Sequence, residues 1–175
     1  MMKIFNRLLP ILIILILVAP SQAEEWKVYF SPNGSATDAI VRALMDAKTS
    51  VYVQAYSFTS TPIAEALRDA HRRGIKVEVI LDKSQCSEKY TSATFVSNAG
   101  IPTYIDDAHA IAHNKVMVID GAILITGSFN FTKAAEEKNA ENLLIIHDRT
   151  LAGLYKQNWD NHLKHSKQYE TRCVG

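Results

Sequence analysis

The sequence predicts a single α/β domain built on a mixed β-sheet with helices on both of its faces. Three observations carry that reading. From Trp26 onward, short runs rich in β-branched and aromatic residues alternate with segments of helical period, the order that lays helices across a sheet. One pair of runs is joined by Asp120-Gly121, a tight turn that forces antiparallel neighbours into the sheet. Finally, the 175 residues are 47% hydrophobic and 21% charged, with seven Gly and five Pro. That is enough for one packed core and too apolar for a disordered or low-complexity chain. No linker or internal repeat divides it.

Residues 27–30 read as a short strand. Over 38–47, Ile40, Val41, Leu44 and Met45 share one helical face. A second strand follows over 51–58. Thr61 as N-cap and Pro62 at the first helical position start a helix that runs to Arg73 and stops at Gly74. Residues 75–81 form a strand apolar on both faces. Ser87 is expected to cap a helix over 88–99 that Gly100 closes, and 102–105 is a weak strand. The hairpin arms are 115–119 and 122–126, and 142–146 is a further strand. A closing helix over 150–164 carries Leu151, Leu154, Tyr155 and Trp159 at helical spacing.

The first 23 residues read as an export signal. Lys3 and Arg7 give a basic start, residues 8–19 are apolar apart from Pro10, and Ser21-Gln22-Ala23 supplies small residues before a cut. The apolar run is well short of the ~20 residues that span a bilayer. The domain is therefore expected over 24–175, periplasmic or secreted, with no membrane insertion once the signal is removed. The residue directly after Ala23 is Glu24 and not Cys, so no lipid anchor is indicated. Of the 175 residues, taking off 23 leaves 152, and the loss of Lys3 and Arg7 leaves 17 basic against 18 acidic side chains. Affinity for phosphates must then come from a few placed groups rather than from bulk charge. Two cysteines are too few for a disulfide scaffold or a Cys-rich zinc module. An exported setting allows a Cys86–Cys173 disulfide, with free thiols or a bridge between subunits as the alternatives.

The chemistry concentrates in residues 112–130. On a strand, His113 and Lys115 point one way and Asn114 the other. The hairpin turns the chain back, so that Ser128 and Asn130, again two apart, return toward them. An imidazole, an ammonium, a hydroxyl and a carboxamide then share one patch with no negative charge of their own, a set suited to a phosphate. Glu141 precedes the next strand, where its carboxylate is placed to hold one nitrogen of His113 and leave the other free to attack. Each piece alone reads as an ordinary polar face or turn; the combination does not.

These residues spell His-x-Lys, four residues, Asp, six residues, then Gly-Ser-x-Asn, in the form of His113, Lys115, Asp120, Gly127, Ser128 and Asn130. The pattern resembles the phospholipase D superfamily without a departure. Phe30-Ser31-Pro32, residues 54–59, Arg73-Gly74-Ile75-Lys76-Val77 and Ala140-Glu141-Asn142 resemble its small exported bacterial nucleases. The resemblance implies a phospholipase D-like fold and a phosphodiesterase that works through a covalent phosphohistidine on His113, with no cofactor. Lys115, Ser128 and Asn130 would bind the phosphate, Glu141 would orient the histidine, and Asp120 would be a structural support. A second histidine must protonate the leaving alcohol. Because the motif occurs once, the resemblance implies a two-fold homodimer whose active site takes one His113 from each subunit.

Other groups carry less. His109 and His113 have the spacing of a helical metal pair, but they precede a strand and no third ligand is obvious, so no metal site is expected. Asp106-Asp107 and Glu136-Glu137 read as solvated surface, as do His147, His162 and His165. Arg68, His71, Arg72 and Arg73 read as a solvated helix face. Three function classes follow: a metal-independent endonuclease acting on DNA or RNA with little sequence preference, a lipid phosphodiesterase acting on substrates such as cardiolipin, and a nucleic-acid-binding module without turnover. An intact nucleophile set disfavours the third.

Overall fold

The computed structural model describes residues 25–170; the leader over 1–23 and the Cys173 half of the expected disulfide lie outside them. The chain runs through β1 (Glu25–Ser31), α1 (Ala36–Asp46), β2 (Ser50–Ala55), α2 (Thr61–Arg72), β3 (Lys76–Asp82), α3 (Ala93–Asn98) and β4 (Thr103–Asp106). It continues through β5 (Lys115–Ile119), β6 (Ile123–Gly127), α4 (Lys133–Glu137), β7 (Glu141–His147), α5 (Arg149–Leu163) and β8 (Lys167–Gln168). Among the described residues the strands form one sheet in the order β1-β7-β6-β5-β2-β3-β4-β8. The β2–β3 and β3–β4 pairs are parallel, the products of helical crossovers, and the rest are antiparallel. The sheet is mixed, as the Asp120-Gly121 turn requires.

Both faces are covered. On one, α1 to α4 lay Ile40, Leu44, Ile63, Leu67, Val96 and Ala135 against Val53, Val79, Leu81 and Met117. On the other, α5 covers Val116, Val118 and Leu124 with Ala152. Trp159 of α5 is fully buried, and its indole N–H donates to the Val53 carbonyl at 2.8 Å, which satisfies the one polar atom of a large apolar side chain. No helix among the described residues is long and apolar enough to cross a membrane.

Several boundaries differ from the sequence reading, each for a local reason. Helix α1 begins earlier and buries Ala36, Ala39, Ile40 and Leu44, leaving Met45 exposed. The N-cap position of α2 is Ser60 rather than Thr61. The helix expected over 88–99 is only α3. Ahead of it the chain makes a 3-10 turn over Lys83–Cys86, started by the Asp82 carboxylate accepting from the Ser84 N–H. Residues 87–91 offer no apolar face to bury, and only from Ala93 do Ala93 and Val96 reach the core. Helix α4 was not anticipated; Thr132 caps it by accepting from the Ala135 N–H.

At the hairpin tip, Asp120 and Gly121 have φ of 55° and 59°, and the Ala122 N–H donates to the Ile119 carbonyl. Asp120 also works at a distance. Its carboxylate accepts from the backbone N–H groups of Lys48, Thr49 and Ser50 and from the Thr49 hydroxyl, at 2.7–3.2 Å, fastening the hairpin to the start of β2. Burial pushes this carboxyl up, but the bonds from Ser50, Thr49 and Lys48 outweigh it and hold it below the ordinary range. A lowered folded-state value contributes stability above the unfolded-state value, and that stability is lost as the pH falls through the folded one. Asp120→Asn should therefore cost about 1–3 kcal/mol at neutral pH. In urea unfolding, the gap between wild type and variant should narrow as the pH drops below the ordinary carboxylate range. A gap independent of pH would show that the charge does not matter.

Candidate active site

The signature residues sit at the open end of the β5–β6 hairpin, opposite its tip. Lys115, which begins β5, pairs with Ala55 at the end of β2. The shared register puts its side chain on the α1–α4 face of the sheet. Beyond the ladder, the Tyr56 N–H donates to the Asn114 carbonyl at 2.8 Å, so the residue next to His113 is still fixed by the sheet. His113 itself is exposed, and its ring packs on Tyr56 with centroids 4.6 Å apart.

Lys115 is buried, with 6% of its surface exposed. Its Nζ donates to the His113 carbonyl at 2.8 Å and lies 5.0 Å from the Tyr56 ring centroid. Burial pulls the ammonium below the usual lysine range, and the charge of Glu141 opposes that pull. One of its three N–H groups is in use, leaving two for an anion.

Strand β6 ends at Gly127, where φ is 144° and a Cβ would land on the Asn142 carbonyl. Only glycine lets β6 approach β7 this closely and then release Ser128. Ser128 and Phe129 both donate their N–H to that Asn142 carbonyl at 3.1 Å. The Ser128 Oγ accepts from the Asn142 N–H at 3.0 Å and from its carboxamide at 3.3 Å, which leaves the hydroxyl proton free to donate. Asn130 lies in the chain between the buried Phe129 and Phe131, and its buried carboxamide oxygen has no hydrogen-bond partner among the described residues. That oxygen can only accept, so a phosphate would have to be met by the Asn130 NH2 group.

Glu141 opens β7 opposite Ser31 and donates its N–H to the Ser31 hydroxyl at 3.2 Å. Its Oε1 accepts from the Asn139 carboxamide at 3.1 Å; among the described hydrogen bonds none joins it to His113. Asp120 stands at the far end of β5, its carboxylate spent on residues 48–50. The structure thus brings His113, Lys115, Ser128 and Asn130 to one end of the sheet, keeps Glu141 within electrostatic reach of Lys115, and leaves Asp120 apart. Chemically the patch offers an exposed nucleophilic nitrogen, a fixed cation and neutral donors. It contains a single imidazole, one short of a nucleophile and a separate acid. Tyr56 is the contact that sequence reasoning did not single out; its place two residues after Gln54 in a strand-end run was the available signal.

Elsewhere the structure corrects three sequence readings. Asp106, expected on a solvated surface, is fully buried. His162, also expected at the surface, is half-buried and turns to its carboxylate together with His109 and His165, which is at the surface as expected, so His109 has the further donors that the sequence did not show. Burial alone would raise the Asp106 carboxyl, but the bonds from His162, His109 and His165 hold it down at about 2. Among the arginines, Arg73 is anchored rather than free, donating to the Leu44 carbonyl at 2.8 Å.

Known proteins resemble this chain in sequence and fold. Residues 40–163 match the family described as "Cardiolipin synthase, PLD-like domain". A phospholipase D of Rickettsia typhi is 45% identical over 130 residues, 74% of this chain and 64% of that protein. A mitochondrial cardiolipin hydrolase of Xenopus tropicalis is 30% identical over 126 residues, 72% of this chain and 60% of its own. The chain thus spans just under two thirds of the length of these curated relatives. The crystal structure of Nuc from Salmonella typhimurium, a phospholipase D family member, superposes with a TM-score of 0.80 at 37% identity, covering 84% of this chain and 99% of Nuc.

Proposed function

Because the chain belongs to the phospholipase D superfamily, we propose that it is a phosphodiesterase that hydrolyses nucleic acid through a phosphohistidine on His113. The observation that carries this reading is the exposed His113 imidazole set against the buried, charged Lys115 and the donors of Ser128 and Asn130. A free His113 ring nitrogen attacks phosphorus while the bond from phosphorus to the leaving oxygen breaks. The leaving oxygen takes a proton from a second imidazole, His113 of the partner subunit. Water then attacks the phosphohistidine, gives its proton to that second imidazole, and releases a phosphate monoester and His113. Lys115 and Asn130 hold the non-bridging oxygens as charge builds on them. Glu141 supports the charge of Lys115; to orient His113 its carboxylate would have to turn from the Asn139 carboxamide that it accepts from here.

DNA is the favoured substrate, with RNA as a second. The exported nucleases of the superfamily are the branch this sequence resembles, and the match to Nuc covers nearly all of that protein. Contacts would be chiefly to phosphates and so insensitive to sequence. The names of the Rickettsia and Xenopus relatives favour a second reading, a phospholipid diester such as cardiolipin worked on by the same residues. Supercoiled plasmid and cardiolipin vesicles, each incubated with wild type and His113→Ala in excess EDTA, separate the two. Nicking by wild type alone supports the nuclease; turnover of lipid alone transfers the mechanism to the other diester.

The shared site has its own test. If each turnover needs His113 from both subunits, adding an equal amount of His113→Ala to wild type, with subunit exchange verified, should cut total activity to about half, because mixed dimers are dead. Activity unchanged by the added variant would mean that each chain works alone.

A further inference from the structure

We propose that Asp106, His109, His162 and His165 form a zinc-class divalent metal site on the opposite face of the sheet from Lys115. Each residue offers one ligand atom, a ring nitrogen or a carboxylate oxygen, and these atoms all lie within 4.8 Å of one another. His109 Nδ1 lies 3.0 Å from Oδ1, His162 Nδ1 2.6 Å from Oδ2 and His165 Nε2 3.3 Å from Oδ2. The three rings stand 4.9–5.3 Å apart, centroid to centroid.

The chemistry of this set is selective. Three imidazoles aiming one nitrogen each at a single buried carboxylate all need a proton on that nitrogen to bond to it. A divalent cation at the point of convergence takes all three lone pairs from neutral rings and balances the carboxylate as well. Tetrahedral ligands at about 2.0–2.1 Å from zinc stand roughly 3.4 Å from one another, so small side-chain rotations close the site. Three imidazoles with one carboxylate suit zinc, cobalt or nickel and are poor ligands for calcium or magnesium.

The ligands also have a consistent placement. Asp106 ends β4 and His109 lies in the loop after it, while His162 and His165 sit at the end of α5 and just beyond, 56 residues separating Asp106 from His162. Along the row Lys115, Ala55, Leu81 and Ile105 of β5, β2, β3 and β4, residues share the α1–α4 face. Asp106 follows Ile105 and so points to the α5 side. The same loop then runs to His113, pinned by the Ala112 N–H donating to the Asp82 carboxylate at 2.7 Å. A bound metal would tie the end of α5 to the loop that delivers the nucleophile, as a structural clamp that takes no part in the bond-breaking steps. The inference is independent of the phosphodiesterase reading.

Cobalt(II) is the probe. Protein stripped with chelator and dialysed should take up one Co(II) per chain with the visible absorption of a tetrahedral nitrogen–oxygen site, and Zn(II) should displace it. Zn(II) at a hundredfold excess over its Kd should raise Tm by about 5–10 °C. His109→Gln with His162→Gln should abolish both signals, while His113→Gln should keep them. Should the double variant fold poorly by circular dichroism, His165→Gln, at a more exposed ligand, must still weaken Co(II) binding measurably. Folded wild type that shows neither absorption nor a Tm shift, or variants that bind Co(II) as wild type does, would overturn the proposal and leave an aspartate–histidine charge cluster.

Discussion

His113→Ala should reduce turnover by roughly 10⁴–10⁶-fold, the scale on which loss of a covalent nucleophile is felt. The side chain is exposed and touches only Tyr56 and solvent among the described contacts, so the fold should keep its stability to within about 0.5 kcal/mol. Affinity for a diester should fall only a few-fold, because Lys115, Ser128 and Asn130 stay in place. The measurement pairs single-turnover rates on a labelled oligonucleotide with its Kd for the same variant. A variant that retains turnover would remove His113 from the chemistry. One that loses binding in proportion to rate would make His113 a phosphate ligand instead.

Lys115→Met should lower kcat by about 10²–10³-fold, the usual cost of removing one donor aimed at developing charge. Methionine keeps the length of the buried stem and its contact with Tyr56 while removing the ammonium. Because Lys115 also donates to the His113 carbonyl, the variant tests positioning as well as charge. Lys115→Arg separates the two: it keeps the charge but brings a planar, bulkier group into a closed site, where the exchange is not conservative. If Met and wild type turn over alike, the cation stabilises the fold and not the transition state. Glu141→Gln bears on the same point, since the charge of Glu141 opposes the desolvation of Lys115.

Much of this was legible in the sequence because it depended on local rules. Asp120-Gly121 announced a turn with two positive φ values, and the structure has both. Gly74 and Gly100, each at φ 86°, end their helices where glycine was read as a stop. The alternation of runs predicted a sheet with helices on both faces, and the Asp120-Gly121 turn predicted that it is mixed. The order β1-β7-β6-β5-β2-β3-β4-β8 was not legible, since β1 reaches β7 across more than a hundred residues and no local pattern encodes that partner. The helix expected over 88–99 failed because a plausible cap at Ser87 was outweighed by a polar stretch with nothing to bury.

The same division holds at the site. His113, Lys115, Ser128 and Asn130 lie close in sequence, so strand alternation and one turn suffice to gather them. Tyr56 follows the end of β2, and only the pairing of β2 with β5 brings it beside His113. The Asp106 cluster is the clearest case: Asp106-x-x-His109 and His162-x-x-His165 are each unremarkable spacings, and only the return of α5 across the sheet joins them. The burial of Asp106 could not be read from an acidic doublet whose second member, Asp107, is indeed exposed.

The central claim, that phosphorus is passed to His113 and then to water, is tested most directly by stereochemistry. A phosphorothioate diester of one configuration is hydrolysed in heavy-oxygen water, and the configuration of the released monoester is determined. Two successive in-line displacements predict retention at phosphorus. Inversion would mean a single attack by water, and would contradict a phosphohistidine whichever diester the enzyme proves to cut.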